Sequence, residues 1–160
     1  MPNWTSNNVL FVGKEKQLKT LQTMLKSADN EFDFNNIIPM PEELKDTVAG
    51  SENAKPEWQK KQSKQLKAKF GADNWYDWAY DNWGTKWNAC HTEVEQRDGT
   101  LIYRFNTAWD APRRIALQLL RMQKTILQDI NISWECVHED GAEEETIIDI
   151  EVDYELPKTS

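Results

Sequence analysis

Apolar residues recur every three or four positions in several stretches of the chain, and this spacing predicts amphipathic helices. The stripe is clearest over residues 15–28, where Leu18, Leu21 and Leu25 alternate with lysines. Another helix is expected near Pro112, because proline is favoured in the first helical turn. The predicted helices span residues 15–28, 55–70, 75–83 and 112–127, and the last has a core stripe of Ile115, Leu119, Met122 and Ile126.

Alternation of apolar and polar residues predicts the strands of a sheet. Residues 9–12 form a short apolar strand, and residues 31–38 form a second one with Phe32 and Phe34 on one face. Asp98-Gly99 lies between two alternating runs, which is a strong signal for a β-hairpin. The remaining predicted strands are the two arms of that hairpin, residues 90–95 and 101–106, and two later strands over residues 130–136 and 148–154.

The order of elements is β-α-β, a helical insertion, and then β-β-α-β-β, which predicts an α+β fold. Without the Lys- and Trp-rich insertion over residues 42–86, this order approaches the ferredoxin-like β-α-β-β-α-β plan with one extra terminal strand. We therefore predict a single α+β domain over residues 1–160. Its mostly antiparallel ferredoxin-like sheet has helices on one face and the insertion between the second and third strands.

The chain lacks the features that direct proteins into or across membranes. No apolar run approaches the ~20 residues that a membrane-spanning helix needs. The N-terminal residues have neither a basic segment nor an apolar one, so a signal peptide is not expected. We therefore expect a protein of the cytoplasm that makes no membrane contact.

Negative charge is concentrated at the C-terminal end. The formal net charge is −8, and residues 135–160 hold ten of the 27 acidic residues but one of the 19 basic residues. Strand alternation would place Asp149, Glu151, Asp153 and Glu155 in a row on one face, roughly 6.5–7 Å apart. Such a row can imitate a phosphate backbone and occupy a basic protein groove, although a solvated face that prevents aggregation is the simpler interpretation. The candidate partner-binding residues of the acidic strand pair 135–155 are Glu143, Glu144, Glu145, Asp149, Glu151, Asp153 and Glu155.

Aromatic residues are dense between residues 75 and 87, which contain four of the eight tryptophans. A single helix cannot bury all of their faces, so some could stack on a ring ligand or a partner. The simpler interpretation is a structural clamp in which Gly84 ends the helix and indole N–H groups bond loop carbonyls. The candidate residues for a ligand or a second partner contact are Trp75, Trp83, Lys86, Trp87 and Trp109.

The remaining features give no sign of catalysis, of a cofactor or of a metal. Cys90 and His91 are neighbours on a predicted strand and point to opposite faces, so we expect two core cysteines rather than a zinc site. Catalysis would need a cleft that gathers His91 or His138 with a carboxylate. Residues 55–69 are Lys-rich, but a pI near 4.8 argues against direct binding of duplex DNA.

Several sequence blocks together resemble the YubB-like family of proteins encoded by bacteriophages and conjugative plasmids. They occur in the family's order and extend over roughly residues 1–112. The blocks are Met1-Pro2-Asn3-Trp4 with Ser6-Asn7, Phe34-Asn35 with Ile37 to Leu44, Trp75-Tyr76 with Trp78, Asn82 to Ala89, and Phe105 with Thr107-Ala108-Trp109 and Pro112. The resemblance implies a ferredoxin-like C-terminal part and supplies no catalytic residues. The acid-rich end after Trp134 departs from the family pattern.

These features lead to two hypotheses of different classes. In the first, the protein is a non-enzymatic accessory protein of a mobile element, active in the host bacterial cytoplasm. It would inhibit a host defence or nucleic-acid-processing complex by placing its acidic strands in a basic groove. In the second, it is a nucleotide- or small-ligand-sequestering module that uses the tryptophan cluster. The sequence leaves open whether the protein forms a homodimer.

Overall fold

The computed structural model describes residues 3–48, 56–139, 141 and 144–149. The strands are β1 (Trp4–Val12), β2 (Cys90–Arg97), β3 (Thr100–Ala108), β4 (Asn131–His138) and β5 (Glu144–Ile148). The helices are α1 (Glu15–Leu25), α2 (Glu42–Lys45), α3 (Glu57–Phe70), α4 (Trp75–Trp83) and α5 (Arg113–Gln123), with a 3-10 helix at Phe34–Asn36.

The described strands form one sheet in the order β2-β3-β1-β4-β5, and every neighbouring pair is antiparallel. Strand β1 lies at the centre, since it pairs with β3 on one side and with β4 on the other. The hairpin predicted at Asp98-Gly99 joins β2 to β3, and Gly99 has the positive φ of 72° that such a turn requires. The predicted α+β architecture with an antiparallel sheet is therefore confirmed.

Helices cover one face of the sheet, here called the inner face. Buried side chains alternate along the strands with exposed ones, as expected for a sheet with one solvated side. Helix α1 packs Leu18 and Leu21 into the core, and α5 contributes Ile115 and Leu119. The inner face itself consists of Val9 and Phe11 on β1, Leu101, Tyr103 and Phe105 on β3, and Ile132, Trp134 and Cys136 on β4.

The strand predicted over residues 31–38 is wrong, because this segment forms a turn that contains the 3-10 helix. The Asp33 side chain accepts a hydrogen bond from the backbone N–H of Asn35, which caps the turn. Short polar side chains of this kind satisfy backbone groups locally and compete with pairing in a sheet. Phe32 and Phe34 are nevertheless fully buried. The helical segment therefore lies between the first and second strands of a five-stranded sheet, not between the second and third.

Hydrogen bonds join this turn to the segment between α4 and β2. The Asn88 side chain donates to Asp33 Oδ1 at 2.8 Å and accepts from the backbone N–H of Phe34 at 2.9 Å. The Trp83 indole N–H donates to the carbonyl of Ile38 at 2.8 Å. Burial alone would raise the pKa of Asp33, but the hydrogen bonds that it accepts, above all from Asn88, lower that pKa overall. Two of the blocks that carry the family resemblance thus hold each other in place.

Helix α4 has the ends that the sequence predicts. The Asn74 side chain caps its first turn by accepting from the backbone N–H of Asp77 at 2.8 Å. Gly84 ends the helix with a φ of 90°, and a Cβ there would lie 3.0 Å from the backbone nitrogen of Arg113. The buried face of α4 is formed by Trp78, Ala79 and Trp83. The clamp interpretation is therefore confirmed for Trp83, whereas Trp87 is only half-buried.

Two large apolar residues of the predicted helices are exposed. Ile126 is 69% exposed because α5 ends at Gln123, four residues before its predicted end, and the chain then turns. Trp58 on α3 is 66% exposed, so the Lys-rich helix contacts the core mainly through Leu66 and Phe70. Strand β5 begins at residue 144, earlier than predicted, and residues 150–155 of the predicted strand lie outside the described part.

We expect Trp83→Ala to lower the free energy of unfolding by about 3–5 kcal/mol, as large-to-small changes in a core do. Trp83 is 3% exposed, and the change would also leave the Ile38 carbonyl without its indole donor. The measurement is urea unfolding followed by circular dichroism. Trp58→Ala is the matched control, because the same change at an exposed site should alter the value by less than about 0.5 kcal/mol. Equal effects at the two positions would contradict the clamp.

Candidate functional site

The described helices leave uncovered the opposite face of the sheet, here called the outer face. Ser6, Asn8, Arg104 and Val137 are exposed on it. The strands enclose a shallow depression of about 480 Å³ on this side, and His91, Glu93, Glu135 and Glu144 are among the residues that line it. The outer face is polar at its centre and changes character towards its two ends.

Seven partly exposed rings form a row that begins on α4 and reaches the outer face at His91, and we call this row the aromatic ridge. It consists of Trp75, Tyr76, Tyr80, Trp109, Trp87, Trp4 and His91. Neighbouring ring centroids are 5.8 Å apart for Trp75 and Tyr76, 5.1 Å for Tyr76 and Tyr80, 6.2 Å for Tyr80 and Trp109, 6.1 Å for Trp87 and Trp4, and 5.4 Å for Trp4 and His91. These are the spacings of favourable ring pairs.

Lys86 joins the two halves of the ridge. Its ammonium nitrogen lies 4.4 Å from the ring centroid of Trp87 and 4.3 Å from that of Trp109. Both distances are within the range of cation–π attraction. A cation thus lies between two indole faces, and Trp109 remains 47% exposed. This arrangement leaves both a positive charge and large apolar surface within reach of a bound molecule.

Unusual backbone conformations hold two members of the ridge. Trp109 has a φ of 72° and His91 a φ of 54°, which residues other than glycine adopt rarely. His91 lies in a bulge between Cys90 and Glu93, where the pairing of β2 with β3 is irregular. Bulges redirect side chains, and here His91 contacts Trp4. Backbone of this kind costs about 1–3 kcal/mol and is concentrated at functional sites.

The structure brings together four of the five aromatic and cationic residues that the sequence singles out. Trp75, Lys86, Trp87 and Trp109 belong to one surface. Trp83 does not belong to it, since its ring is buried against Phe34 and Trp78. Sequence reasoning missed Trp4 and His91, which come from the starts of β1 and β2. The opening sequence block already contained Trp4, but its position beside β2 depends on strand pairing through β3.

Tyr80 of the ridge stays neutral over the physiological range. Burial raises the pKa of Tyr80 to about 12, and the hydrogen bond and charge of Tyr76 and the charge of Asp110 add to the effect. The two tyrosine rings are in contact at 5.1 Å between centroids. The Tyr80 hydroxyl can therefore donate a hydrogen bond to a bound molecule, but it supplies no negative charge.

Three carboxylates lie close together at the other end of the outer face, and we call them the acidic edge. They are Glu135 on β4, Glu144 on β5 and Asp149, which follows β5. A hydrogen bond with Glu144 raises the pKa of Glu135, and burial and the charges of Glu144 and Asp149 raise it further. These groups therefore crowd one another. Of the predicted partner-binding residues, Glu143, Glu151, Asp153 and Glu155 lie outside the described residues.

Glu145 is not an available acidic group, which corrects its placement in the partner-binding set. It points to the inner face, where Arg113 donates two hydrogen bonds to it at 2.7 and 2.9 Å. The ring of His138 lies 2.9 Å from the same carboxylate. The bonds from Arg113 and His138 lower the pKa of Glu145 to about 2. Its charge is therefore balanced within the protein.

The histidines and cysteines differ in their surroundings. Cys136 is buried, as expected, whereas Cys90 is only half-buried; both thiols are free. His138 lies beside a carboxylate and His91 lines the outer depression, so the histidines are not isolated from polar clefts. The Cys136 residue is 1% exposed.

No family model matches the chain, and neither a curated protein nor a solved structure matches it. Across the described residues, none of the helices combines the length and the apolar character that crossing a membrane requires.

We expect Lys86→Ala to lower the free energy of unfolding by only about 1 kcal/mol, because cation–π contacts at partly exposed sites are weak. The tryptophan emission spectrum should change, since the ammonium group is in contact with two indoles. Urea unfolding and fluorescence spectra measure the two effects. Lys64→Ala, at an exposed position of α3, is the control and should leave both nearly unchanged. A loss of several kcal/mol from Lys86→Ala would make Lys86 a core residue instead.

Proposed function

We propose that the protein is a non-enzymatic binding protein of a phage or plasmid, which inhibits a host defence or nucleic-acid-processing complex by protein–protein contact. The observation that carries the proposal is the outer face of the sheet. His91, at one end of the aromatic ridge, and Glu135 and Glu144, in the acidic edge, line the same depression. One surface thus offers large aromatic groups and concentrated negative charge to a single partner.

The aromatic ridge has the composition of the energetic centre of an interface. Tryptophan and tyrosine are enriched among the residues that contribute most to binding, because they bury a large area at a small cost in side-chain entropy. Ring contacts within the ridge already restrict these side chains before a partner arrives. Trp109 is the most exposed tryptophan of the ridge and is therefore the first residue to test.

The acidic edge favours a partner with a basic groove. Complementary charge speeds association and excludes wrong partners. Glu135, Glu144 and Asp149 repel one another in the free protein, as the raised pKa of Glu135 indicates. Basic side chains of a partner would relieve that repulsion, as the phosphates of a nucleic acid would not. Direct binding of duplex DNA is therefore not part of the proposal.

The resemblance to the YubB-like family supports an origin in a mobile element and action in the host bacterial cytoplasm. The topology is compatible with the fold that this family implies. Without β5, the strand order is β2-β3-β1-β4, in which β3 separates β1 from β2, and β1 separates β3 from β4. This is the split arrangement of a ferredoxin-like sheet, and we propose that class for the fold.

The test is affinity purification from a bacterial host, with the protein, a ridge variant and an edge variant compared side by side. We expect the protein to recover a nucleic-acid-processing complex. Trp109→Ala should weaken binding by about 2 kcal/mol, which is roughly thirtyfold in affinity, if the ridge is the centre of the interface. The triple variant Glu135→Lys, Glu144→Lys and Asp149→Lys should abolish recovery, because it reverses the acidic edge.

Matched controls lie on α3. Trp58→Ala removes an exposed indole, and Glu57→Lys reverses an exposed charge, at sites away from the outer face. Both should recover the complex as the unaltered protein does. If the complex is still recovered after reversal of the acidic edge, mimicry of a phosphate backbone is excluded as the mechanism of binding. Recovery that Trp109→Ala leaves undiminished would exclude the ridge as the centre of the interface. Size-exclusion chromatography of each sample would detect a homodimer.

A second function is favoured by the position of Lys86 between Trp87 and Trp109. A nucleotide base could stack on either indole while the ammonium group contacts its phosphate, which would make the protein a sequestering module. Titration with nucleotides and cyclic oligonucleotides should then quench tryptophan fluorescence saturably. Trp109→Ala should abolish the saturable part, and Trp58→Ala should not. A flat titration across the panel would remove this function.

A further inference from the structure

We propose that Cys136, His138 and Glu145 form a binding site for a zinc ion on the inner side of the terminal strand pair. The three ligand atoms, the Cys136 sulfur, a His138 ring nitrogen and a Glu145 oxygen, all lie within 4.8 Å of one another. Thiolate, imidazole and carboxylate are the groups that bind zinc in proteins. The site lies on the opposite side of the sheet from the outer face and does not rest on the function proposed above.

Strand geometry explains why these residues meet. Cys136 and His138 are two positions apart on β4, so their side chains point to the same face. Glu145 is the residue of β5 that pairs with Cys136 across the antiparallel ladder. All three positions therefore belong to regular, paired strands. A site on such elements is held more rigidly than one on a loop.

The distances between ligand atoms approach those of a tetrahedral zinc site. Cys136 Sγ lies 3.8 Å from His138 Nε2 and 4.0 Å from Glu145 Oε1, and the latter two atoms are 2.9 Å apart. The usual bond lengths of zinc predict edges of about 3.4–3.6 Å, so each distance needs to change by only about half an ångström. Asp110 Oδ1 lies 4.0 Å from His138 Nε2 and offers a fourth oxygen.

The other nitrogen of His138 has the partner that a metal ligand requires. Thr5 Oγ1 lies 3.1 Å from His138 Nδ1. When Nε2 binds the metal, Nδ1 carries the hydrogen and donates it to this hydroxyl, which fixes the orientation of the ring. Cys136 loses its thiol proton to solvent on binding, because the thiolate is the ligand. Burial raises the pKa of Cys136 to about 11 without a metal, so ionisation of this thiol requires the positive charge of the ion.

In the metal-free protein, the positive charge of Arg113 balances the carboxylates that would bind the ion. Its guanidinium group bonds both oxygens of Glu145 and both oxygens of Asp110. An incoming ion must share or displace these bonds, so Arg113 competes with the metal. Removing the guanidinium should therefore strengthen zinc binding, whereas loss of an ordinary structural salt bridge would not. The zinc affinity of Arg113→Gln therefore distinguishes a metal site from a cluster that serves only packing.

The experiment titrates the full chain, stripped of metal with a chelator, with Co²⁺ at neutral pH and then with Zn²⁺. Cobalt bound by a thiolate gives a charge-transfer absorption, which zinc should abolish by displacement. Cys136→Ser should lose this absorption and bind zinc at least about tenfold more weakly. Cys90→Ser is the matched control, since it makes the same change at the other cysteine and should bind like the unaltered chain. Arg113→Gln should bind several-fold more tightly.

Zinc should also raise the melting temperature of the unaltered chain and of Cys90→Ser, because a ligand that binds the folded state stabilises it. Glu145→Gln keeps the test valid if Cys136→Ser folds poorly, since the Glu145 side chain is 39% exposed. This variant should fold and bind zinc at least about tenfold more weakly. The proposal is overturned if the unaltered chain binds neither ion saturably, if its cobalt complex lacks the thiolate absorption, or if Glu145→Gln binds zinc as the unaltered chain does.

Discussion

The packing of the Phe32 ring against three aromatic side chains is the interaction on which the rest of the structure depends. Phe32 is fully buried, with ring centroids 5.1 Å from Tyr103, 4.9 Å from Phe105 and 6.2 Å from Trp134. These three partners lie on the inner faces of β3 and β4, and Phe32 itself lies in a turn. An irregular segment therefore fills the centre of the core, and the turn must keep its shape for the aromatic rings to pack. The Asn88 side chain supplies that constraint, because it donates to Asp33 and accepts from the backbone N–H of Phe34.

A chain of buried hydrogen bonds connects the core to the turn that carries Trp109 of the aromatic ridge. The Asn7 side chain accepts from the Trp134 indole at 3.0 Å and donates to Thr107 Oγ1 at 2.9 Å. Thr107 in turn donates to the carbonyl of Asp110 at 2.6 Å. Buried polar groups whose bonds are all made fix one arrangement of a core, because any slip would leave them unpaired. The turn that presents Trp109 is thus tied to the central strand.

The sequence predicts best where local chemistry decides the structure. Asp98-Gly99 specifies its hairpin, and Asn74 and Gly84 specify the ends of α4, because each acts on its own backbone. Residues 31–38 were misjudged because Phe32 and Phe34 alternate as in a strand, while Asp33 closes a turn that periodicity does not reveal. The acidic residues were predicted as one class, yet the structure separates Glu144 from Glu145 by the face that each occupies.

The full extent of the aromatic ridge is not predictable from the sequence, because Trp4 and His91 join it only through strand pairing. Trp4 and Trp87 are far apart in the chain, and they meet because β1 and β2 both pair with β3. The positive φ angles of His91 and Trp109 are also not predictable from the sequence, since no local preference favours them. Strand pairing holds Trp4 and His91 in place, whereas α4 holds Trp75, Tyr76 and Tyr80. The ridge is therefore formed before any partner binds, which lowers the entropy that binding must overcome.

Strand β5 connects the two surfaces that the protein offers for binding. Successive residues of a strand face opposite sides, so Glu144 belongs to the outer face and Glu145 to the inner cluster. Pairing with β4 is the backbone contact that holds β5, which lies at the end of the described sheet. The bonds of Glu145 to Arg113 and His138 add side-chain ties from α5 and β4. These side-chain bonds of Glu145 therefore help to hold the strand that presents Glu144 on the outer face.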